Sequence, residues 1–293
     1  MSRYPFFIVD VFAEEKYSGN QLAVVLDAGS LEDVEMQRIA VEMNYSETTF
    51  VTGESDGIFD VRIFTPKTEI PFAGHPAIGT AYVITQEVLK EKVKMLSLNL
   101  KIGRINIEVD YLNDTPSVLW MKHPEPVFGR EIDFKTISGV LNLEESYLDK
   151  NYPVQEVSTG LPFLIVPLKN LEGLKKASIS AERYYSLIED LDAKGILIFC
   201  PETNISGRDL SVRVFAPYYG VAEDPATGSA NGCLAAYLLK YRYFGTDFVE
   251  IKVEQGYEIG RPSLLYLRSE VRGEEMDVFV GGKVVMTARG ILL

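Results

Sequence analysis

Two short stretches of this 293-residue chain decide its fold: residues 74–81 (GHPAIGTA) and residues 223–230 (EDPATGSA). From their third residue onward they share the pattern Pro-Ala-x-Gly-Thr/Ser-Ala. A strand-like motif precedes each of them, RIFTP at 62–66 and RVFAP at 213–217. Since the two copies stand about half a chain apart, the repeat predicts the duplication of a whole domain.

Each copy indicates a strand, a short loop and then the start of a helix. Pro76 and Pro225 suit the first helical position, where a missing N–H costs nothing. His75 and Asp224 then fall near the N-cap. Small residues follow, so a ligand can approach the backbone closely. Both copies therefore aim unpaired N–H groups and a positive dipole end at one spot, which predicts an anion site between two facing domains.

The rest of the chain is rich in short β-type runs, bounded by Gly, Pro, Asn and Asp. Helical periodicity is confined to residues 31–43, 76–88, 181–190 and 226–241, and Ser30 with Asp33 predicts a capping box for the first of these. Strands and helices do not alternate regularly, so the pattern predicts an α+β fold. The Pro-containing stretch 122–127 predicts domains at 1–122 and 127–283, with strand 284–293 returning to the first.

Charge and hydropathy exclude several classes of protein. The formal net charge of −13 disfavours binding to nucleic acid or to a membrane surface. An anionic ligand would need local donors such as helix N-termini. The first apolar run stops at Asp10, which is too short for a signal peptide, and no window is long enough to span a membrane. A cytoplasmic protein is expected.

Metal and nucleotide sites find no support in the sequence. Cys200 and Cys233 lie in apolar runs and are expected to be core residues. His75 and His123 are the only histidines, without metal-ligand spacing, and His123 is interpreted as structural. No glycine-rich phosphate loop occurs. We therefore expect neither a metal nor a cofactor.

Glu47 is the first candidate for proton chemistry. It stands in the segment NYSETTFV at 44–51, among aromatic and β-branched residues. Partial desolvation there would make a carboxylate a better general base or acid near neutral pH. The alternative is an exposed glutamate at a strand start, in an ordinary salt bridge.

The other candidates each have a functional and a structural interpretation. His75 is a donor or proton relay, or a capping imidazole. Asp224 faces Glu47 or His75, or caps its helix. Asn20 contacts a ligand, or belongs to a turn. The loop residues that would bind the substrate, or that are merely small residues at packed helix starts, are Gly74, Gly228, Ser229 and Ala230.

Taken together, these motifs resemble the PhzF-like family of phenazine biosynthesis proteins, within the diaminopimelate-epimerase-like fold. The matching motifs run from the N-terminus to about residue 233: DVF at 10–12 with Gly19-Asn20, YSET at 45–48, FTP at 64–66 with FAGHP at 72–76, and EDPATGSA at 223–230.

The resemblance implies two pseudo-symmetric domains, each a barrel-like antiparallel or mixed sheet around a central helix, and commonly a homodimer. It implies a cofactor-free isomerase that acts on a small anionic substrate in the interdomain cleft. Glu47 falls on the family's proton-shuttling glutamate. His75, Asp224 and Ser229 fall on its assisting polar residues.

Two alternatives stay open. Related epimerases and racemases use two opposed cysteines, and neither repeated loop contains one. An amino-acid epimerase or racemase would therefore rely on Glu47 and Asp224 as its bases. The other alternative is a non-catalytic small-molecule-binding or interaction protein on the same fold.

Overall fold

The computed structural model describes residues 3–293, so the first two residues of the predicted N-terminal domain lie outside the described part. The chain folds into two compact units. The first unit holds the chain up to Lys122 together with Gly281–Leu293, and the second is His123–Val280. The last residues of the chain thus belong to the first unit.

The first unit begins with ten elements in chain order. They are β1 (Tyr4–Val11), β2 (Asn20–Val25), α1 (Asp33–Met43), β3 (Glu47–Ser55), β4 (Ile58–Phe64), β5 (Glu69–Ile70), α2 (Gly74–Val83), β6 (Met95–Leu100), β7 (Gly103–Leu112) and β8 (Thr115–Lys122).

The second unit follows. Its elements are β9 (Val127–Ile132), α3 (Phe134–Val140), β10 (Val154–Ser158), β11 (Pro162–Pro167), α4 (Leu171–Lys176), α5 (Ala181–Glu189), β12 (Gly195–Cys200), β13 (Leu210–Ala216), β14 (Val221–Asp224), α6 (Gly228–Lys240), β15 (Phe248–Gln255), β16 (Ser263–Arg272) and β17 (Glu275–Gly282). The chain returns to the first unit at Gly281, near the end of β17, and continues there as β18 (Val284–Leu292).

The two units repeat one order of strand pairing. In the first, β18 and β2 flank β1, β2 runs parallel to β3, β4 runs parallel to β6, and β3–β4 and β6–β7 are antiparallel. In the second, β9 and β11 flank β10, β11 runs parallel to β12, β13 runs parallel to β15, and β12–β13 and β15–β16 are antiparallel. This confirms the predicted α+β fold of two similar domains.

Each unit is built around one buried helix. Nine of the ten residues of α2 and eleven of the thirteen of α6 are buried. Glycine lets these helices pack closely: a Cβ at Gly79 would come within 2.6 Å of Leu22 and 2.8 Å of Val11. α2 packs against β1, β2 and β3, and α6 against β10, β11 and β16.

The sheet of the first unit is also covered on its other face, by α1. Phe50 of β3 joins a cluster there with Met36 and Ala40 of α1, and its ring meets that of Phe64 edge-on at 5.4 Å. The neighbouring Thr49 points the opposite way and bonds to α2. Residues 48–51 of β3 are therefore buried on both faces, although two of these four residues are threonines.

The first helix begins later than predicted. Ser30 ends a 3-10 turn, and its hydroxyl bonds to Tyr4 at 2.9 Å rather than capping a helix. Glu32 is the N-cap, and its N–H donates to the Glu35 carboxylate at 3.1 Å in a reciprocal capping box. A glutamate on each side of the first turn thus replaces the predicted Ser30–Asp33 pair.

The other helices differ from the prediction mainly in length. The segment predicted at 76–88 is α2 followed by a π-helical turn, Ile84–Leu89. α3 and α4 were not predicted, because helices of seven and six residues are too short to show a period. Asp133 and Asn170 cap them. Among the helices within residues 3–293, none combines the length and apolar character needed to cross a bilayer.

Both cysteines are core residues, and neither forms a disulfide. Burial raises the pKa of the Cys200 thiol to about 12 and that of Cys233 to about 11. Because only the thiolate attacks, we expect neither cysteine to react with an aromatic disulfide reagent at pH 8 in the native protein. Two thiols should react per chain after denaturation in guanidinium. Stoichiometric labelling of the native protein would contradict this assignment.

The burial of His123 leads us to expect that the stability of the protein depends on pH. It is buried, its Nδ1 lies 3.0 Å from Thr159 Oγ1, and burial lowers its pKa to about 4. The unfolded chain, with a histidine pKa near 6.5, binds the proton first as the pH falls. The free energy of unfolding contributed by this group should therefore be complete above about pH 6.5. It should fall by up to about 1.4 kcal/mol per pH unit towards pH 4.

Urea denaturation of the native protein and of His123→Gln at several pH values measures this contribution. The difference in the free energy of unfolding between the native protein and His123→Gln should change between about pH 4 and pH 6.5. It should stay constant at higher pH. A difference that does not vary from pH 4.5 to 7.5 would refute the assignment.

Candidate active site

The structure brings Glu47 and His75 together in the first unit. Glu47 is the first residue of β3, and His75 is the second residue of α2. His75 Nε2 lies 3.2 Å from Glu47 Oε2, and the two side chains are 9% and 16% exposed. Both of these atoms are buried. A carboxyl group and an imidazole thus share one secluded position.

A buried hydroxyl pair fixes β3 against α2 beside this contact. Thr49 Oγ1 and Thr80 Oγ1 lie 2.8 Å apart, and both residues are fully buried. Thr49 follows Glu47 by two residues and so lies on the same face of β3. Neither threonine stood out in the sequence; the available signal was, for Thr80 alone, a hydroxyl residue inside a largely apolar helical segment.

The His75 ring is held in its neutral form. Burial lowers its pKa to about 3, although the carbonyl of Gln21 accepts a hydrogen bond from the ring and opposes this shift. Since Nε2 faces Glu47, we assign the donor to Gln21 as Nδ1–H. A neutral ring with its proton on Nδ1 presents an unprotonated Nε2 to the carboxyl group.

That tautomer decides where a proton sits in the pair. A lone pair on His75 Nε2 can only accept, so the 3.2 Å contact is favourable when Glu47 carries the proton as a carboxylic acid. When Glu47 is ionised, two acceptors face one another and this contact is unfavourable. The contact is thus compatible with a proton on Glu47.

The two other predicted residues of the first unit lie on the same set of elements. Asn20 is the first residue of β2, is buried, and stands opposite Val11 in the β1–β2 register. The next residue is Gln21, whose carbonyl holds His75. Gly74 is the buried first residue of α2. Their contact with a ligand stays a prediction.

The remaining predicted residues belong to the second unit. Asp224 ends β14, and Gly228, Ser229 and Ala230 are the first three residues of α6. Their N–H groups belong to the turn that has no partners within the helix. Asp224 Oδ2 accepts a hydrogen bond from the Thr227 hydroxyl, which orients the carboxylate.

The two helices begin at different points of the sequence repeat. Pro76 is the third residue of α2 rather than its first, and His75 lies within the helix rather than at the N-cap, which is Ala73. Pro225 precedes α6 by three residues, and Thr227 is the N-cap in place of Asp224. Proline fits position 76 because the first four N–H groups of a helix need no carbonyl partner.

An arginine–glutamate pair recurs in both units, although the sequence repeat did not reveal it. Arg62 of β4 binds Glu69 of β5 through two hydrogen bonds of 2.9 and 3.0 Å. Arg213 of β13 binds Glu223 of β14 likewise, at 2.9 and 2.7 Å. The partners are seven residues apart in one unit and ten in the other, so a fixed offset does not align the glutamates.

The described residues offer no obvious metal centre. Within residues 3–293, no group of three or more His, Cys, Asp or Glu side chains is arranged to hold a metal ion. His75 is committed to Glu47 and Gln21, and His123 to Thr159. The chemistry that the arrangement supports is proton transfer by a carboxyl group.

The Thr49–Thr80 pair provides a test of how rigidly the two elements are joined. Thr80→Val leaves the Thr49 hydroxyl with only a 3.5 Å contact to the Ala23 carbonyl, so we expect a loss of about 1–3 kcal/mol in the free energy of unfolding. The double variant with Thr49→Val removes both hydroxyls and should be destabilised by less than the sum of the single variants. Additive losses in urea denaturation would show that the two hydroxyls do not interact.

The profile of one protein family, PhzC-PhzF, described as phenazine biosynthesis-like protein, matches residues 9–290. A trans-2,3-dihydro-3-hydroxyanthranilate isomerase of Pseudomonas chlororaphis is 35% identical over 295 residues, covering 98% of this chain and 99% of that protein. An uncharacterized isomerase of Clostridium acetobutylicum is 32% identical over 301 residues, covering 99% and 98%.

Solved structures agree with these matches. The Bacillus anthracis phenazine biosynthesis protein of the PhzF family superimposes with a TM-score of 0.91 at 29% identity, and all of both chains is covered. A hydroxyproline epimerase of Agrobacterium vitis superimposes with a TM-score of 0.61 at 9% identity, covering 99% of this chain and 92% of that one. The second likeness concerns the fold alone, which is that of the epimerases.

Proposed function

We propose that Glu47 moves a proton between two carbons of the substrate. The chain belongs to the PhzC-PhzF family of phenazine biosynthesis-like proteins and is an isomerase. The observation that carries the proposal is the 3.2 Å contact between Glu47 Oε2 and His75 Nε2 in a buried setting. A carboxyl group that can hold a proton against a neutral imidazole is suited to take one from carbon and to return it.

The proposed reaction has two steps and needs no oxidant or cofactor. Glu47 as carboxylate takes a proton from an acidic C–H bond of the substrate, and the electron pair of that bond enters the conjugated system. The carboxylic acid so formed donates to His75 Nε2. It then returns the proton to another carbon, where the displaced electron pair forms the new C–H bond. The product has the composition of the substrate.

The residues of the second unit enter the proposal as the groups that hold the substrate. Backbone N–H groups at Gly228, Ser229 and Ala230 suit a carboxylate, because they lie in the first turn of α6. Asp224, oriented by Thr227, suits an amino or hydroxyl group. The net charge of −13 makes such local donors necessary for an anionic substrate.

These groups and the named relatives support a proposal for the substrate class. The relative from Pseudomonas chlororaphis is a trans-2,3-dihydro-3-hydroxyanthranilate isomerase. We propose that this chain acts on a small cyclic or amino- or hydroxy-substituted carboxylic acid, and trans-2,3-dihydro-3-hydroxyanthranilate is the first compound to test.

Incorporation of deuterium from heavy water into this compound tests the role of Glu47. The native protein should label the carbon that receives the proton, and Glu47→Gln should lower the rate by about 10²-fold or more. Glu54→Gln is the matched control, because Glu54 lies on the same strand and is exposed; it should keep the native rate. Equal labelling by native protein and Glu47→Gln would refute the assignment. An inverted stereocentre without a shifted double bond would instead favour an epimerase.

His75 leads to a separate prediction on pH dependence. Because its pKa is lowered to about 3, it stays neutral from pH 5.5 to 8 and should contribute no titration to the rate in this range. His75→Asn should lower kcat about tenfold to a hundredfold without changing the shape of the pH profile. A native rate limb near pH 6.5 that vanishes in this variant would show that a protonated imidazole takes part.

A further inference from the structure

We infer that Gln255 is a positioning residue that holds Asp224 and Thr227 in place for the reaction. The inference rests on the proposed function for the meaning of Asp224, but its structural part stands on contacts within the second unit. Gln255 is the last residue of β15 and is 1% exposed. Its amide lies against the segment between β14 and α6, which has no regular secondary structure of its own.

The Gln255 amide uses its whole hydrogen-bonding capacity on this segment and on the elements at its two ends. Nε2 donates to the Asp224 carbonyl at 2.8 Å and to Thr227 Oγ1 at 3.1 Å. Oε1 accepts from the Thr227 N–H at 3.3 Å and from Asn231 Nδ2 at 2.9 Å. An amide has two donors and room for two acceptor contacts, so none is left over. Two of the partners are backbone groups, one carbonyl and one N–H. They therefore also determine which side-chain atom is the amide nitrogen and which is the oxygen.

The orientation of Thr227 carries this constraint to the Asp224 side chain. Because Thr227 Oγ1 accepts from Gln255, its own hydroxyl proton is free to point elsewhere, and it donates to Asp224 Oδ2. Gln255 therefore holds Asp224 twice, directly at the backbone and through Thr227 at the carboxylate. A rotation of the amide would break both links.

The backbone next to Gln255 shows how tightly the segment is seated. Gly256 has a φ of +80°, and a Cβ there would come within 2.6 Å of the Pro225 carbonyl oxygen and 2.3 Å of the Arg261 carbonyl oxygen. The end of β15 thus lies in direct contact with the residue that follows Asp224. In the first unit the strand that takes the place of β15 is β6, which ends in the apolar Leu100.

Gln255→Met tests the inference, because it keeps the volume and removes all four hydrogen bonds. Gln155→Met is a matched control in the same unit. Gln155 is also buried, its Nε2 donates to the Gly129 carbonyl, and its Oε1 accepts from Lys240 and Tyr241. Both variants lose a buried amide network, so a general loss of stability should affect them alike.

The first measurement is amide hydrogen exchange of the peptide that contains residues 224–231, which requires no substrate. Gln255→Met should speed exchange there about tenfold or more, while Gln155→Met should leave it at the native rate. Unchanged exchange in Gln255→Met would overturn the inference, whatever the enzyme does. If this variant does not fold, Gln255→Glu serves instead, since it keeps the acceptor and removes the donor to Asp224.

The second measurement is turnover of trans-2,3-dihydro-3-hydroxyanthranilate. Gln255→Met should lower kcat about tenfold to a hundredfold, as expected for a misplaced group, whereas Gln155→Met should stay within about twofold of native. Thr227→Val should resemble Gln255→Met, and Thr227→Ser should restore most of the rate. Faster exchange with native kcat would overturn the role of Gln255 in the reaction. A native protein that does not turn over refutes the proposed function, and the exchange experiment still decides the role of Gln255.

Discussion

The structure depends on burying nearly all of one helix inside each unit. A helix surrounded by strands has no polar face, so its side chains must be small or apolar. Its first turn must also place its N–H groups where a hydrogen-bond acceptor can reach them. α2 and α6 meet the first condition through residues such as Gly79 and Gly232, at which a Cβ would strike neighbouring side chains. The second condition makes the start of each helix the natural place for chemistry. The same requirement therefore accounts for the repeated sequence motif and for the position of the candidate residues.

The two units meet this requirement in different ways. In the first, the helix start carries a titratable side chain, and His75 is held by the Gln21 carbonyl so that its other nitrogen faces Glu47. In the second, the helix start carries hydroxyl and small residues, and a side-chain amide from β15 organises the approach to it. The two units provide equivalent helix starts, and only the helix start of the first unit holds a carboxyl group against an imidazole. This asymmetry suits a reaction in which a single group takes up and returns the proton.

Much of this could be read from the sequence, and the failures have physical causes. The repeat, the α+β class and the interest of His75 followed from local patterns, because a duplicated motif keeps its spacing. Glu47 lies outside the repeat, and its neighbours and the family resemblance singled it out. The start of α1 was misplaced because Ser30 and Asp33 fit the usual capping pattern, whereas the N-cap is Glu32, a residue type that is not among those favoured there. Gln21 acts through its backbone carbonyl, which any residue would provide, so no side-chain signal exists for it. Gln255 lies far along the chain from the loop it holds, and only the pairing of β13 with β15 brings them together.

The pairing of β18 with β1 has a consequence for the synthesis of the chain. β18 begins at Val284, after the whole of the second unit, yet it lies beside the first strand of the protein. At ordinary translation rates, the ribosome needs on the order of ten seconds or more to make the residues between β8 and β18. During that time one edge of β1 has no partner from its own unit, while the second unit has all of its strands in sequence. The half of the protein that carries Glu47 and His75 is thus made first and completed last.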